Sequence, residues 1–395
     1  MRRLVWWILA GFVAGIVFGA LFGQSQIAGT RTIDILKPFG DVFLRLLQMI
    51  VVPLVFSTLI VGVVAIDLRR LARVGIINFA LYIITTSLAV IISLAVVLVI
   101  KPGIGMSLEY AKAATVSQPS MVDVLVGIVP KNLIDSMAKA DMLPIIFFAL
   151  LFGIGISLVG EKADTVKKFF ESFAEVMYKL VEIILYFAPI GVFALIGYNV
   201  GQQGISILLP YGKLIGSEYL ALALQVAIVY TTIVLLSRKG LLNFWRAAKD
   251  PALFAFASRS SSGTLPITMR AADKLGIDKS IYSFTLPLGA TINMDGTAIY
   301  CGVCAIFIAY AFGVEITASM LVMIVLTCTL ASIGTAGVPG GGLIMMVMVI
   351  EAAGLPIEGW GLIAGIDVIM DMGRTCLNVL GDLACTTLID RFERR

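Results

Sequence analysis

The residues best suited to chemistry lie on one apolar stretch near residue 380. Asp371, Arg374, Asn378 and Asp382 are three or four residues apart, which places them on one face of an α-helix. Charged side chains inside a membrane span are rare because each costs about 2.5–3.5 kcal/mol to insert. Arg374 could bind a substrate carboxylate with two hydrogen bonds, and Asp371 could bind an ammonium group. The stripe predicts a site for a zwitterion, with an internal Asp371–Arg374 ion pair as the alternative.

Two aspartates are candidate cation ligands. Asp295 and Asp382 each lie beside a glycine and within four residues of an asparagine. Hard cations take oxygen ligands from carboxylates, amides, hydroxyls and carbonyls. A helix unwound at Asn293–Gly296 would expose carbonyl groups for such a site. The alternative is a pair of protonated or solvated aspartates that line a pore.

Two segments rich in small residues could bind a carboxylate through the main chain. They are Ser260–Gly263 and 337–342, and each precedes an apolar stretch. The N-terminus of a helix offers backbone N–H groups and a favourable dipole to an anion. Arg259, beside the first segment, could pair with a neighbouring aspartate or extend to the membrane surface, and the sequence leaves both open.

The elements that must position these residues are membrane helices. Of 395 residues, 59% are hydrophobic and only 14% are charged, with a mean hydropathy of +1.02, whereas soluble domains carry about 25% charged residues. No break in composition divides the chain, so we expect one membrane domain. A span needs about 20 apolar residues. The predicted helices are 4–23, 41–66, 75–100, 121–160 (broken by Pro130 and Pro144), 169–199 and 214–237.

The lysines and arginines predict the orientation in the membrane. They are enriched in the segments that share a side with residue 1, which indicates a multi-pass protein of the plasma membrane with both termini cytoplasmic. This bias holds only if 250–283 and 318–353 are re-entrant hairpins. Each hairpin tip is followed by a helix that carries Asn and Asp, an inverted repeat typical of a transporter's central site. The paired segments are Ser262–Pro266 with Ile333–Pro339, and Asn293–Gly296 with Asn378–Asp382.

Other functions have weaker support. The chain has no histidine, and its five cysteines fall within predicted spans, so thiol or zinc chemistry is not expected. The net charge of +4 reflects membrane orientation, and we expect no nucleic-acid partner. An intramembrane aspartyl protease is a remote alternative that would use Asp295 and Asp382. We expect neither an enzyme nor an organic cofactor.

Four motifs resemble those of the glutamate transporter family, the dicarboxylate/amino acid:cation symporters. The likeness is strongest to the prokaryotic sodium/aspartate symporters, specific over 250–390 and looser over 1–240. The motifs are Arg259–Pro266, Leu286–Thr297, Ala331–Gly340 and Asp371–Asp382.

This resemblance implies an all-α fold with eight transmembrane helices and two re-entrant helical hairpins, assembled as a homotrimer in the lipid bilayer. Residues 1–74 would supply scaffold helices 1 and 2, and 121–200 scaffold helices 4 and 5. Residues 75–120 would supply helix 3 of a moving transport unit. Residues 201–395 would complete that unit with helix 6, hairpin 1, helix 7, hairpin 2 and helix 8.

The resemblance also implies roles for individual residues. Arg374 and Thr297 would bind the substrate side-chain carboxylate, Asp371 the amino group, and Asn378 with the hairpin tips the main-chain carboxylate. The implied substrate-binding residues are Arg374, Asp371, Thr297, Asn378, Ser261, Val338 and Gly342. More than one sodium ion is implied: one at Asn293, Asn378, Asp382 and the Gly289 carbonyl; one at the carbonyls of Thr291, Ser332, Ile333 and Thr335; and one at Tyr82, Thr85, Thr86, Asn293 and Asp295.

One departure from the family pattern bears on coupling. Members that exchange protons and potassium usually carry a glutamate after the tyrosine of helix 7, where this chain has Cys301 after Tyr300. We therefore expect sodium-coupled symport of aspartate or glutamate without proton or potassium exchange. The alternative is a proton-coupled dicarboxylate or glutamate carrier of the same fold, in which Asp371 need not meet an ammonium group.

Overall fold

The chain is almost entirely helical. The computed structural model describes residues 2–27, 30–64, 72–106, 126–140, 142–335 and 337–393. The helices are α1 Arg2–Phe22, α2 Lys37–Val64, α3 Ala72–Ile100, α4 Leu133–Lys139, α5 Met142–Val159, α6 Asp164–Leu185, α7 Ala188–Gln203, α8 Leu208–Leu224, α9 Thr231–Ser237, α10 Leu241–Ser258, α11 Ser261–Lys274, α12 Lys279–Ile292, α13 Asp295–Ala311, α14 Ala318–Gly334, α15 Gly341–Ala352, α16 Gly359–Ala364 and α17 Asp367–Glu393.

Short elements connect some of these helices. The two-residue strands β1 Gln26–Ile27 and β2 Thr30–Arg31 pair antiparallel after α1. The remaining elements are 3₁₀ turns at Thr32–Ile35, Gly160–Ala163 and Ile205–Ile207, and a π-helical segment at Gln225–Tyr230 between α8 and α9.

Several helical runs are suited to cross a bilayer, which confirms the prediction of a polytopic membrane fold. Within the described residues, five runs are long and apolar enough, with mean hydropathies of 1.5 to 2.8. They are Thr32–Val64, Gly75–Ile100, Pro144–Leu185, Ile205–Ser237 and Lys279–Ala311. Large apolar side chains such as Trp6, Leu151 and Phe169 point outward, as expected of a surface that contacts lipid.

Two predicted helix boundaries were wrong. The single helix predicted over 169–199 is two helices, α6 and α7, separated at Tyr186 and Phe187. Pro189 cannot donate to the carbonyl of Leu185, so a continuous helix would lose that bond. Pro144, predicted to break a helix, instead lies in the first turn of α5, where a missing N–H costs nothing. The predicted positions 65, 66 and 121–125 lie outside the described residues.

Two helical hairpins occupy the second half of the chain where re-entrant hairpins were predicted, and their re-entry into the membrane stays a prediction. The first is α10 and α11, which meet at Arg259 and Ser260, so it begins before the predicted residue 250. The second is α14 and α15, and each hairpin is followed by further helix in the predicted order. The two tips touch: the Ser260 hydroxyl donates to the Gly337 carbonyl over 2.9 Å, and the Ser262 N–H donates to the same carbonyl over 3.1 Å.

The helices pack in two groups. Helix α1 packs along α7, and α2 packs against α5, α6 and α7. Helices α3, α8 and α10 to α15 pack among one another and around α17, with α13 and α17 buried along most of their length. Close packing of α1 on α7 needs small residues, since a Cβ on Gly15 would lie 2.7 Å from the Phe193 carbonyl oxygen. The division into scaffold and transport unit follows the same helices but stays a prediction.

Candidate substrate and cation site

A buried ion-pair network surrounds Arg374 on α17. Its Nη1 lies 2.7 Å from Asp367 Oδ1, and its Nε lies 3.0 Å from Asp371 Oδ1. The guanidinium also stacks over the ring of Tyr300, with Cζ 4.2 Å from the ring centroid. All three charged side chains are almost completely buried, and Nη2 has no hydrogen-bond partner among the described residues. The predicted alternative, an ion pair of Asp371 with Arg374, is therefore present in this conformation.

Asp371 also binds groups from both hairpins. Arg259 Nη1 lies 3.4 Å from its Oδ2, and the Gly340 N–H donates to the same oxygen over 3.1 Å. The Thr375 hydroxyl donates to Oδ1 over 3.3 Å. Arg259 is only 3% exposed, so it pairs with an aspartate and does not extend to the surface. Asp371, which was predicted to bind an ammonium group, thus connects the two hairpin tips to α17 through hydrogen bonds and an ion pair.

The seven residues predicted to bind substrate line one cavity. They are Ser261, Thr297, Val338, Gly342, Asp371, Arg374 and Asn378. Its volume is about 10 Å³, roughly the room for one water molecule. An amino acid can enter only if the hairpin tips withdraw from α17 or the Arg374 side chain moves. A Cβ on Gly342 would lie 2.9 Å from Arg374 Cζ, so the second tip packs closely against the guanidinium.

The helix is unwound between α12 and α13, as predicted from the Asn-Met-Asp-Gly sequence. Asn293 and Met294 have non-helical dihedrals, with φ/ψ of −104°/77° and −108°/58°. The Met294 N–H donates to the Ser332 hydroxyl over 2.7 Å, and the Gly296 N–H donates to Asn378 Oδ1 over 2.7 Å. These N–H groups do not donate to the carbonyl groups four residues earlier in the chain. Carbonyl oxygens at the break therefore lack their helical hydrogen bonds and can accept other partners. Asn378 also contacts the Met294 sulfur at 3.0 Å.

The first aspartate of the predicted cation sites lies in a dense polar cluster. Asp295 is completely buried, and Thr86 donates to its Oδ1 over 2.6 Å and Thr85 over 3.3 Å. Tyr230 and Gln225 donate to Oδ2 over 2.8 Å and 3.3 Å. Hydroxyl and amide groups can turn an oxygen toward a cation as readily as they donate to a carboxylate. Thr85 and Thr86 therefore lie beside Asp295, with which they are predicted to bind a cation, and the cation site itself stays a prediction.

The second aspartate lies against Tyr82 and the α12 backbone. Asn293 donates to Asp382 Oδ1 over 3.0 Å. A Cβ on Gly289 would clash with Asp382 and lie 2.7 Å from the Tyr82 hydroxyl oxygen, so glycine lets the carboxylate approach the main chain. The Tyr82 hydroxyl donates to the Thr285 carbonyl over 3.0 Å. Asn378, predicted in the same ion site, is instead bound to Gly296 and Met294.

The remaining predicted ligands lie beside the break and the second tip. Ser332 is buried 3.5 Å from the Thr86 hydroxyl and donates weakly to the Ile292 carbonyl at 3.4 Å. The hydroxyls of Thr291 and Thr335 bond within their own helical turns, to Leu288 and Ala331. Ile333 is buried. No three Asp, Glu, Cys or His side chains of the described chain converge on a point, so a cation here would rely on carbonyl, hydroxyl and amide oxygens.

Four residues of the site were not assigned roles in the sequence analysis. Asp367 lies seven residues before Arg374 on the same helical face, a spacing that could have indicated the pair. Thr375 follows Arg374 directly. Gln225 and Tyr230 come from the π-helical segment, and π-bulges are frequent at functional sites. Their sequence, inside an apolar run, gave no sign of the distortion.

The comparisons with known proteins agree with this arrangement. The chain matches the sodium:dicarboxylate symporter family over residues 4–392. It is similar to a proton/sodium-glutamate symport protein of Geobacillus stearothermophilus, 36% identical over all of this chain and 96% of the relative. It is also similar to two proteins of Bacillus subtilis (strain 168). One is a proton/glutamate-aspartate symporter, 36% identical over all of this chain and 96% of the relative. The other is a C4-dicarboxylate transport protein, 33% identical over 99% and 94%. The chain therefore belongs to the sodium:dicarboxylate symporter family.

Proposed function

We propose that this chain is a secondary active transporter that moves L-aspartate or glutamate together with sodium. Transport follows alternating access, in which the transport unit moves against a scaffold assembled as a homotrimer. The observation that carries the proposal is a buried cavity that contains both a guanidinium and a carboxylate, Arg374 and Asp371. Two relatives that are named as a glutamate symport protein and a glutamate-aspartate symporter support the same substrate class.

The charge pattern favours an amino acid over a plain dicarboxylate. An acidic amino acid has two carboxylates and one ammonium group. Arg374 suits one carboxylate, and Asp371 suits the ammonium group. The N-termini of α11 and α15 begin at Ser261 and Gly341, where backbone N–H groups can bind the second carboxylate. A dicarboxylate such as succinate would leave Asp371 without an ammonium partner.

Sodium coupling is supported by the oxygen-rich clusters next to this cavity. Asp295 and Asp382 are buried carboxylates, and an unpaired buried charge is costly. Neither forms an ion pair among the described residues, whereas Asp367 and Asp371 do. Sodium bound beside each carboxylate would supply the missing positive charge. Asn378 and Met294 connect the α12–α13 break to the substrate cavity, so filling one site can bias the other.

A proton-coupled dicarboxylate or glutamate carrier is the second candidate. The C4-dicarboxylate transport protein of Bacillus subtilis supports it, because it is nearly as similar to this chain as the glutamate carriers are. The two candidates share a fold and an arginine for one carboxylate. They differ in whether the substrate amino group matters and in which ion gradient drives uptake.

Uptake into proteoliposomes tests the choice. Radiolabelled L-aspartate is supplied under an imposed sodium gradient, an imposed proton gradient, or neither, with and without excess succinate. We expect uptake that requires sodium and that succinate barely reduces. Uptake that is independent of sodium, or blocked equally by succinate and aspartate, would assign the protein to the dicarboxylate carriers. Native mass spectrometry of the purified protein tests the trimer, and a monomer or dimer would contradict it.

The cation clusters are tested by one isosteric change. Asp382→Asn removes the charge next to Gly289 but keeps the side-chain shape. We expect half-maximal uptake to need severalfold more sodium, because a ligand charge is lost. Asp278→Asn is the control, because Asp278 is exposed at the N-cap of α12 and asparagine can also cap a helix. An unaltered sodium titration in Asp382→Asn would place the cation elsewhere.

A further inference from the structure

The structure contains a buried carboxyl group, Glu218, that the proposed mechanism does not use and that lies close to the substrate cavity. Glu218 lies in the middle of α8 and its side chain is completely buried. Neither carboxyl oxygen has a hydrogen-bond partner among the described residues. A carboxylate anion in such a place is unstable relative to the neutral acid, since it has lost water without gaining donors. An acid of this kind is suited to hold a proton.

The neighbours of Glu218 are the charged groups of the substrate cavity. Helix α8 packs against α13 and α17. The charges that act on Glu218 are those of Arg374, Asp367 and Asp371 on α17, and the nearby thiols on α13 are Cys301 and Cys304. On its own helix it adjoins Tyr219. Helix α3 also packs against α8, and the titratable group among its described side chains, Tyr82, faces Asp382 and Asp295 instead.

Arg374 links Glu218 to substrate binding. Two of its nitrogens are held by Asp367 and Asp371, and the third, Nη2, has no partner in the described structure. The negative groups near this guanidinium are therefore the two paired aspartates, an incoming substrate carboxylate and Glu218, whose oxygens form no hydrogen bond with it. The number of negative charges around the guanidinium therefore depends on whether Glu218 is protonated or ionised.

Counting charges shows the direction of this coupling. With Glu218 neutral, the charges of Asp367 and Asp371 balance those of Arg374 and Arg259. With Glu218 ionised, the cluster has one excess negative charge before substrate arrives. An acidic amino acid adds another net negative charge, and like charges in a buried site repel strongly because little water screens them. Substrate binding must therefore strengthen the hold of Glu218 on its proton.

We propose that Glu218 is a proton-binding site coupled to the substrate site through Arg374, so that substrate and one proton are carried together. The proton adds to the carboxylate as substrate binds, and it leaves when substrate is released. This inference rests on the proposed function, because it requires a carboxylate substrate at Arg374. It replaces the expectation of coupling to sodium alone, which rested on the cysteine at position 301.

The sign of the pH effect follows from linkage. If bound substrate favours protonated Glu218, then protonated Glu218 favours bound substrate to the same extent. Substrate affinity is then highest at low pH and falls as the pH rises through the range in which Glu218 of the empty protein loses its proton. The steepest fall for one proton is about tenfold per pH unit.

Calorimetric titration of the purified full-length protein tests the proposal. L-aspartate is added at saturating sodium between pH 5.5 and 8.5, in two buffers with different ionisation enthalpies, so that the protons taken up can be counted. For the wild type we expect up to one proton per aspartate and an affinity that weakens with pH. For Glu218→Gln, a near-isosteric neutral analogue of the protonated acid, we expect no proton uptake and an affinity that is independent of pH.

The controls separate this proposal from its alternatives. Glu315→Gln, at an exposed position outside the cluster, is expected to behave as the wild type. Proton uptake in Glu218→Gln equal to that of the wild type, or none in the wild type, would overturn the proposal. If Glu218→Gln does not fold, Glu218→Asp is used, and an unshifted pH range would overturn it. Wild-type protein that binds no aspartate refutes the proposed function instead, and the same titration is then made with succinate.

Discussion

At the residue scale, the buried guanidinium of Arg374 is balanced even without substrate. Asp367 and Asp371 hold two of its nitrogens at 2.7 and 3.0 Å. Removing one partner of a buried ion pair costs about 3–5 kcal/mol, so a buried arginine without partners would strain the fold. A substrate carboxylate can replace one aspartate at a time. Binding is then an exchange of partners and does not require the full desolvation of a charge.

Replacing this arginine should remove the acidic substrate. In Arg374→Cys we expect aspartate affinity to fall about 100-fold or more, because two charge-assisted hydrogen bonds of about 1.5–3 kcal/mol each are lost. Aspartate binding and uptake are measured beside Arg270→Cys, an exposed arginine of α11. Monodisperse elution in detergent shows that the variant is folded. A folded Arg374→Cys protein that binds aspartate as tightly as the wild type would contradict the assignment.

At the element scale, the break between α12 and α13 connects the polar clusters around Asp295 and Asp382 to the cavity at Arg374. Its diverted N–H groups bind Ser332 on the second hairpin and Asn378 on α17. In a continuous helix these N–H groups would donate to carbonyl groups of the same helix, and they would not bind Ser332 or Asn378. Gly296 is essential to this junction, because a Cβ there would lie 2.7 Å from the Arg374 Cα and 2.8 Å from its carbonyl carbon.

A single methyl group at this junction should therefore disturb both sites. Gly296→Ala is expected to destabilise the protein by about 1–3 kcal/mol through overpacking, and to weaken aspartate binding because α17 must shift. Thermal unfolding in detergent and aspartate affinity are measured. Gly155→Ala in α5 is the matched control, since its Cβ would meet open space. Equal unfolding temperatures and affinities for the two variants would mean that the junction adapts without cost.

At the scale of the whole molecule, α16 packs against both α15 of the second group and α7 of the first, and contacts between several helix pairs join the two groups. One is between α16 and α2, where a Cβ on Gly361 would lie 3.3 Å from Leu44 Cδ1. Another is between the second tip and α6, where a Cβ on Gly340 would lie 3.6 Å from Leu185 Cδ2. If transport moves one group against the other, these contacts must separate during each cycle.

A covalent link across the groups should then stop transport. We expect the oxidised double variant Leu44→Cys/Gly361→Cys to lose aspartate uptake and to regain it when a reductant is added. The matched control is Gly40→Cys/Leu195→Cys, which joins α2 and α7 within the first group and where a Cβ on Gly40 would lie 2.8 Å from Leu195 Cδ2. Each single-cysteine variant is oxidised in the same way, which shows whether a disulfide with a native cysteine affects uptake. Full uptake by the cross-linked first pair would refute relative motion of the two groups.

The sequence alone determined the features that depend on local spacing. Asp371, Arg374, Asn378 and Asp382 share a face of α17 because helical periodicity is a local property of the chain. The break at Asn293 was predictable as well, since Asn, Asp and Gly in an apolar helix favour unwinding. The same reasoning predicted membrane spans and hairpin tips, although it missed the separation of α6 from α7.

Only the tertiary structure decided which distant groups share a site. Arg259 could pair or extend to the surface, and the packing of the first hairpin on α17 selected Asp371. Gln225 and Tyr230 reach Asp295 through a π-helical distortion that their apolar surroundings do not encode. Glu218 is an acidic residue inside a span, but only the packing of α8 on α13 and α17 shows that its carboxyl group is buried without a hydrogen-bond partner in the described structure. Periodicity fixes the face on which a side chain lies, whereas its partner depends on how helices far apart in the chain pack together.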